Sequence, residues 1–348
     1  MPGLIAFGIA LVASLTLTMP VRALALRVGM VDLPGPRKVH LTPIPLLGGL
    51  AIYAGIVVAI LTVFQGAARA QVEGILAGAT LVIAVGVLDD RGWLHHQIKL
   101  FVGMPLAGLI LLASGIHAQV FSVIATGPAG RYLDAALTIF WVMAITAAFS
   151  ILDHMDGLCA GVAAMASVFF ALIAYLNGQT LVTVLAAAVL GAAAGFLRWN
   201  FKPAKIFMGD GGAMLLGFLM ATLGLKLRLA QPDHLAAWLV PVLVLGVPVF
   251  DTALVSISRA RRGLLPFASP GKDHTAHRLV NLGLGQRNAV LTLYLAGAAS
   301  GGLAAIESYL SGRAGMVLAV FAFATAISAI ALLERAPYQR QPAKNLSA

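Results

Sequence analysis

The run Leu152-Asp153-His154-Met155-Asp156-Gly157 sets two carboxylates three residues apart, where one long apolar stretch ends and another begins. A charge placed in hydrocarbon costs roughly 2.5–3.5 kcal/mol on insertion scales, so a lipid-embedded chain rarely keeps such a pair without a use. On a helical turn this spacing points both side chains the same way. That arrangement suits a hard divalent cation, or phosphates bridged by one. It equally suits a helix start in which Asp153 caps the run 157–175.

Three further stretches carry similar chemistry. Asp89-Asp90 directly follows the apolar segment Ile83 to Leu88. Adjacent carboxylates repel, and one rises in pKa unless a cation shares them. The pair reads as a Mg²⁺ site, as one ligand beside a proton acceptor, or as a polar stop at the membrane surface; His95 and His96 read as interfacial. Lys205-Ile206-Phe207-Met208-Gly209-Asp210-Gly211-Gly212 puts an acid in a glycine-rich turn, preceded by Asn200 and Lys202. Such a turn lets backbone approach a ligand and frees N–H groups for phosphate oxygens. Arg37-Lys38-Val39-His40, ahead of a Pro43–Gly49 entry into an apolar run, supplies fixed groups for a diphosphate or simple anchoring. Arg259, Arg261 and Arg262 read the same two ways. His274 and His277 stand beside Arg278; zinc would need a third ligand, and none is near in sequence, so phosphate recognition is the better reading.

These residues need elements to hold them, and the composition names the kind. The 348 residues are 60% hydrophobic and 10% charged, with mean hydropathy +0.95, against about 25% charged in a soluble domain. Apolar runs of about 17–25 residues, long enough to cross a bilayer, recur along the chain. Eleven spans are expected, near 3–26, 44–65, 72–88, 97–115, 132–152, 157–176, 180–198, 210–230, 235–257, 288–309 and 314–333. The first 26 residues lack the basic n-region of a signal peptide and count as a span. The expectation is an all-α, polytopic membrane bundle of one domain over 1–348, with a basic loop at 258–287. Cys159, the one cysteine, excludes a disulfide framework and reads as packing.

Charge sets the expected topology. Loops after odd-numbered spans, with the tail, carry seventeen Lys and Arg, against five in the opposite loops, with Arg22 inside the first span. The odd loops are then cytoplasmic, the N-terminus outside and the tail inside. The net charge of +10 is thereby a membrane signal and not one for nucleic acid. Asp32, Asp89, Asp90, Asp153, Asp156, Asp210 and Asp273 fall on that same side, and Asp251 about two turns from it. Acids gathered from five separate loops read as a cytoplasmic cleft where a divalent metal handles phosphate. At the hydrocarbon edge, one substrate is then a lipid phosphate and the other a soluble diphosphate. An ion-coupled transporter is the alternative of another class, although its acids would sit nearer the bilayer midplane.

From about Asp32 to about Gly285 the chain resembles the polyprenyl-phosphate N-acetylhexosamine-1-phosphate transferases, the family that also holds the phospho-MurNAc-pentapeptide translocase. The motifs occur in the family's order: Asp32-Leu33-Pro34 through Arg37–His40 to Gly48-Gly49, Gly86–Asp90, Asp153–Leu158, Phe207–Asp210, and the His274/His277 loop. The resemblance implies a cytoplasmic cleft holding Mg²⁺, or Mn²⁺. It implies transfer of a sugar-1-phosphate, most simply N-acetylglucosamine-1-phosphate, from a UDP-sugar to undecaprenyl phosphate with release of UMP, in the inner membrane at the start of cell-envelope glycan synthesis. It assigns Asp89 and Asp90 to the metal and the lipid-phosphate nucleophile, and Asp210 to the metal. Asp153 and Asp156 would face the uridine diphosphate, with Asp156 counted beside Asp89 and Asp90 as catalytic; which aspartate is the base stays open. Lys38, His40, Asn200, Phe207, His274, His277 and Arg278 would bind substrate, and a homodimer is left open. Three features depart from the pattern: Ser150 where asparagine is common, His154 where glycine is common, and Ala276 breaking a run of histidines. The last points away from muropeptide transfer and toward a UDP-N-acetylhexosamine.

Overall fold

The computed structural model describes residues 1–34, 42–64, 66, 68–94, 96–125, 127–229, 234–264, 271–310 and 312–337. Among these, the chain is helical apart from turns and one two-residue antiparallel pairing, Val31–Asp32 with Ile44–Pro45. Each of the expected spans falls on a helix or a helix pair. Seven are long and apolar enough to cross a membrane: Pro2–Arg27, Arg69–Asp90, Pro128–Leu152, Leu158–Leu176, Thr180–Asn200, Gln286–Glu307 and Gly312–Leu333. The run expected at 235–257 is broken, with Trp238–Val244 and Gly246–Ala260 bent by 82°, and would be an eighth span if the pair counts as one. Gly48–Val63 and Lys99–Ala113 are shorter, and Gly209–Lys226 also falls outside that set. The protein is thus a helical membrane bundle of seven or eight membrane-length elements.

Gly209–Lys226 is the axis of the bundle. It is apolar on every side, and such a helix has to be enclosed. Its residues from Gly211 to Leu225 are buried, packed against Arg69–Asp90, Pro128–Leu152 and Gly48–Val63. In contrast, Gly312–Leu333 is exposed over nearly its whole length, with Met316, Val317, Phe321, Phe323, Ile327 and Leu332 bare, as a lipid-facing helix should be.

Small residues draw the backbones together at one end of this axis. A methyl group on Gly86 would overlap the backbone of Gly211, and one on Gly49 the backbone of Gly212. Close helix crossings of this kind replace the hydrophobic drive that lipid does not supply between helices. The same glycine-rich turn feeds its neighbours' backbones. The carbonyls of Phe207 and Met208 accept from the N–H groups of Gly48 and Gly49, both at 3.0 Å, and Phe207 N–H donates to Pro45 O at 2.9 Å. The Gly48-Gly49 and Phe207–Asp210 motifs are therefore two halves of one joint.

Gly86→Ala should overpack this crossing at a cost of about 1–3 kcal/mol, read as a lower melting midpoint in detergent. Gly302→Ala, where nothing lies within 4 Å of the added carbon, should change the midpoint little.

Candidate active site

Helix ends, several bearing acids, meet at the glycine joint. Arg69–Asp90 ends on the acid pair, Pro128–Leu152 ends at Asp153, and Thr180–Asn200 leads into the turn before Asp210. Lys99 opens a π-helical turn, Lys99–Gly103, a geometry that widens a helix and often marks functional positions. Its Nζ donates to Asp89 Oδ2 at 2.6 Å and also to Asp210 Oδ2. The other oxygen of Asp210 accepts from Ser150 Oγ at 3.0 Å. Two carboxylates from separate helices thus converge on one cation. Sequence reasoning counted Lys99 only as a topological charge; nothing in its surroundings in the chain marked it.

Asp90 faces elsewhere. Its carboxylate accepts from the N–H of Asp210 at 2.9 Å and of Gly211 at 3.3 Å, capping the axis helix from outside. Asp90, expected at the metal, is engaged here as a cap, and two of the N–H groups expected to be free for phosphate, those of Asp210 and Gly211, are taken. Gly209, with φ +72°, makes the approach workable, since a side chain there would strike Asp90.

The central motif is a turn between helices and not a helical turn. Gly157, at φ +78°, precedes a helix that starts at Leu158, and no side chain caps it, so Asp153 is not the cap. Asp156 Oδ2 accepts from Ala204 N–H at 3.0 Å. Asn200 is buried, accepting from Gly157 N–H and donating to Ile206 O, both at 3.0 Å. Its amide ties the motif to the turn before Asp210 and is not left to line a nucleotide pocket. Tyr294 O–H adds a bond to Gly157 O at 2.5 Å. Asp153, outside the spans, is close to several like charges: burial, and then the carboxylates of Asp210, Asp90 and Asp156, push it up to about 8.

The histidine loop forms the other wall. His274 Nδ1 donates to Asp251 Oδ2 at 2.8 Å, and Thr275 N–H to Asp251 Oδ1 at 2.7 Å. A carboxylate on one ring nitrogen fixes which atom carries the proton and how the ring faces. His154 stacks on both His274 and His277, with centroids 4.5 and 4.8 Å apart. Burial, followed by the neighbouring imidazoles, holds His154 down at about 3; burial with His274 and Lys272 holds His277 near 4.

Arg278 is the clearest displacement from expectation. It is fully buried, donating from Nε to Asp273 O, from Nη1 to Leu333 O and Glu334 Oε1, and from Nη2 to Ser258 Oγ. A guanidinium enclosed in this way is a strut between the histidine loop and the last helix, not a face for a diphosphate. Arg259 grips Asp273 through two bonds of 2.9 Å, and Arg262 adds one of 2.7 Å. Burial would raise Asp273, but these guanidinium bonds outweigh it and hold the carboxyl down at about 2. Lys38 and His40 lie outside the described residues.

Asp89, Asp90, Asp153, Asp156 and Asp210 thereby lie close together, and His154, next to Asp153 in the chain, stacks on His274 and His277. Among the described residues no group of three or more His, Cys, Asp or Glu forms a ready metal cage; the convergence on Lys99 is the arrangement that fits a cation.

Comparison with known proteins places residues 72–228 on the family model described as glycosyl transferase family 4. The chain is 35% identical over 296 residues to a probable undecaprenyl-phosphate N-acetylglucosaminyl 1-phosphate transferase of Bacillus subtilis (strain 168), covering 84% of this chain and 81% of that protein. It is 33% identical to a decaprenyl-phosphate N-acetylglucosaminephosphotransferase of Mycolicibacterium smegmatis, over 91% of this chain and 85% of the relative. A third, an undecaprenyl-phosphate alpha-N-acetylglucosaminyl 1-phosphate transferase of Yersinia pestis, is 30% identical over 80% of this chain and 76% of its own length.

The raised Asp153 carboxyl gives a signed pH dependence. A raised acid contributes stability below its ordinary value near 4 and loses it as pH climbs toward about 8. The lowered histidines act oppositely, losing stability as pH falls below about 6.5. Between pH 6.5 and 8 the Asp153 effect should dominate the difference between wild type and Asp153→Asn. Melting midpoints in detergent should show the variant gaining on wild type as pH rises through that window, with the gap closing toward pH 4.5.

Proposed function

The chain belongs to glycosyl transferase family 4, and on that footing we propose that it transfers N-acetylglucosamine-1-phosphate from a UDP-sugar to undecaprenyl or a similar polyprenyl phosphate, releasing UMP. Its relatives are named as transferring N-acetylglucosamine 1-phosphate, or N-acetylglucosamine phosphate, to undecaprenyl or decaprenyl phosphate, which favours this reading over muropeptide transfer and over ion-coupled transport. The observation that carries the reading is the convergence of Asp89 and Asp210 on a single cation, Lys99 Nζ, beside Asp153, Asp156 and the histidines. Phosphoryl transfer asks for that: positioned charge, with little covalent work for the protein.

The donor set fits Mg²⁺, or Mn²⁺, with Asp89 and Asp210 as its carboxylate ligands. Such an ion would neutralise charge on the diphosphate. Lys99 is placed to bear part of the same charge. A lipid-phosphate oxygen bonds to the sugar-bearing phosphorus of the diphosphate, and the bond from that phosphorus to the bridging oxygen breaks, the electron pair leaving with UMP. Asp90 keeps the axis helix start, and with it Asp210, at the reacting end. Asp156, fixed by Ala204, and Asp153 stand beside the donor's phosphates, and His274, oriented by Asp251, faces them from the other wall.

The excess of Lys and Arg in the odd-numbered loops supports a cytoplasmic cleft and tail with the N-terminus outside. The shorter Gly48–Val63, Lys99–Ala113 and axis helices then complete an eleven-span plan, with the bilayer thinned or the helices flanked by polar loops where they fall short.

Purified protein supplied with Mg²⁺, UDP-N-acetylglucosamine and undecaprenyl phosphate should release UMP, and chelation should stop it. Asp89→Asn and Asp210→Asn should each lower turnover by about a hundredfold or more with melting midpoints retained. Near-normal turnover in both would remove these residues from the chemistry.

A further inference from the structure

His154 has one ring nitrogen accounted for and one not. Nδ1 lies 3.1 Å from Ile151 O, so it carries the hydrogen and donates. In the neutral ring that leaves Nε2 as an acceptor only. This atom is buried and has no hydrogen-bond partner among the described residues. An acceptor buried without a donor loses its hydration for nothing, and native structures keep few of them.

The surroundings narrow what would satisfy it. The ring stacks at 29° to His274 and 30° to His277. Rings lying so nearly parallel do not aim their lone pairs at one point, which removes a three-histidine metal site. Phosphate oxygens are acceptors and cannot serve an acceptor. What remains is an O–H or N–H group, reaching a ring that stands between Asp153 of the acid cluster, its neighbour in the chain, and the histidines it stacks on. A diphosphate held at the acid cluster carries such groups on the hexosamine attached to it, as ring hydroxyls and, in an N-acetylhexosamine, the acetamido N–H.

We propose that His154 is a sugar-reading residue, whose Nε2 accepts a hydrogen bond from a hydroxyl or acetamido N–H of the donor's hexosamine. This rests on the transferase reading above, and gives it a specificity contact that the motif aspartates do not provide. The ring's stacking on His274 and His277 fixes its plane, and the Ile151 bond fixes its tautomer, so the acceptor is oriented before the donor arrives. Such preorganisation is how a short polar contact yields discrimination.

The test compares binding of UDP-N-acetylglucosamine, UDP-glucose and UDP to wild type, His154→Phe and His154→Gln in detergent, by calorimetry, alongside UMP release. His154→Phe keeps a ring to stack but has no acceptor; His154→Gln offers an amide oxygen in its place. The Phe variant should bind UDP-N-acetylglucosamine about tenfold more weakly, bind UDP as wild type does, and keep its KM for polyprenyl phosphate, while the Gln variant recovers part of the loss. If UDP-glucose binding falls alongside, a hydroxyl is the donor; if it does not, the acetamido N–H is. Equal losses for UDP and UDP-sugar would mean that His154 reads the nucleotide, and no loss in either variant would mean it reads nothing; both overturn the proposal. Wild type that binds the sugar nucleotide with this pattern yet releases no UMP would sink the transferase reading and leave His154 standing.

Discussion

Carboxylates gathered at the end of an apolar bundle repel one another and lose hydration together, and the arrangement holds only if positive charge or N–H groups meet each one. Asp89 and Asp210 share the ammonium of Lys99. Asp90 spends both oxygens on backbone N–H groups at a helix start, where the helix dipole also favours negative charge. Asp156 has Ala204. Asp153, with no such partner among the described residues, is pushed up furthest, to about 8, while Asp90 rises to about 6. The local charge is therefore divided among four solutions, and the solution that uses a side-chain cation is the one where substrate charge or a metal can be exchanged in.

The opposite wall solves a different problem. Asp273, Arg259, Arg262, Arg278 and Glu334 form a buried ionic network in which each carboxylate meets at least one guanidinium. Breaking one member of such a network leaves an uncompensated charge, which is far more costly than the network's net worth. Its consequence is rigidity: it joins Gly246–Ala260, the short helix Thr275–Asn281 and the end of Gly312–Leu333. Asp251, buried about two turns before Arg259 on the same helix, then sets the His274 ring. The histidine loop is held by arginines, and its imidazoles stack on His154.

Much of this was legible in the sequence, and the limits have physical causes. Apolar run length located every long helix, because the bilayer imposes one length scale on the spans, but not the short Phe121–Ile124 and Thr275–Asn281. It misjudged Gly48–Val63 and the bent pair at 245, since hydropathy does not register where a helix starts on glycine or breaks. The site aspartates were found because an acid at a span end is expensive, so its position carries information. Partners were not, because cost says nothing about direction. Asn200 and Arg278 are types that bind substrates, and their engagement with Gly157, Ile206, Ser258 and Glu334 arises from segments up to 56 residues away. Lys99 was hidden for the opposite reason. A basic residue on the cytoplasmic side looks like all the others there.

The adjacent pair Asp89-Asp90 shows how helix geometry resolves what spacing leaves open. Neighbours on a helix point about 100° apart, so two adjacent acids cannot both face one ion from a rigid helix end without distortion. Here they divide. Gly86, one turn earlier, brings the helix against Gly211, and at that separation Asp90 reaches the first N–H groups of the axis helix. Once Asp90 is so committed, the turn of the helix directs Asp89 sideways to Lys99, while the same capping bonds fix where Asp210 begins. The glycine crossing, the cap and the cation pair are thus one linked device: the close approach of two backbones sets the cap, and the cap sets the separation of the two carboxylates that share the charge.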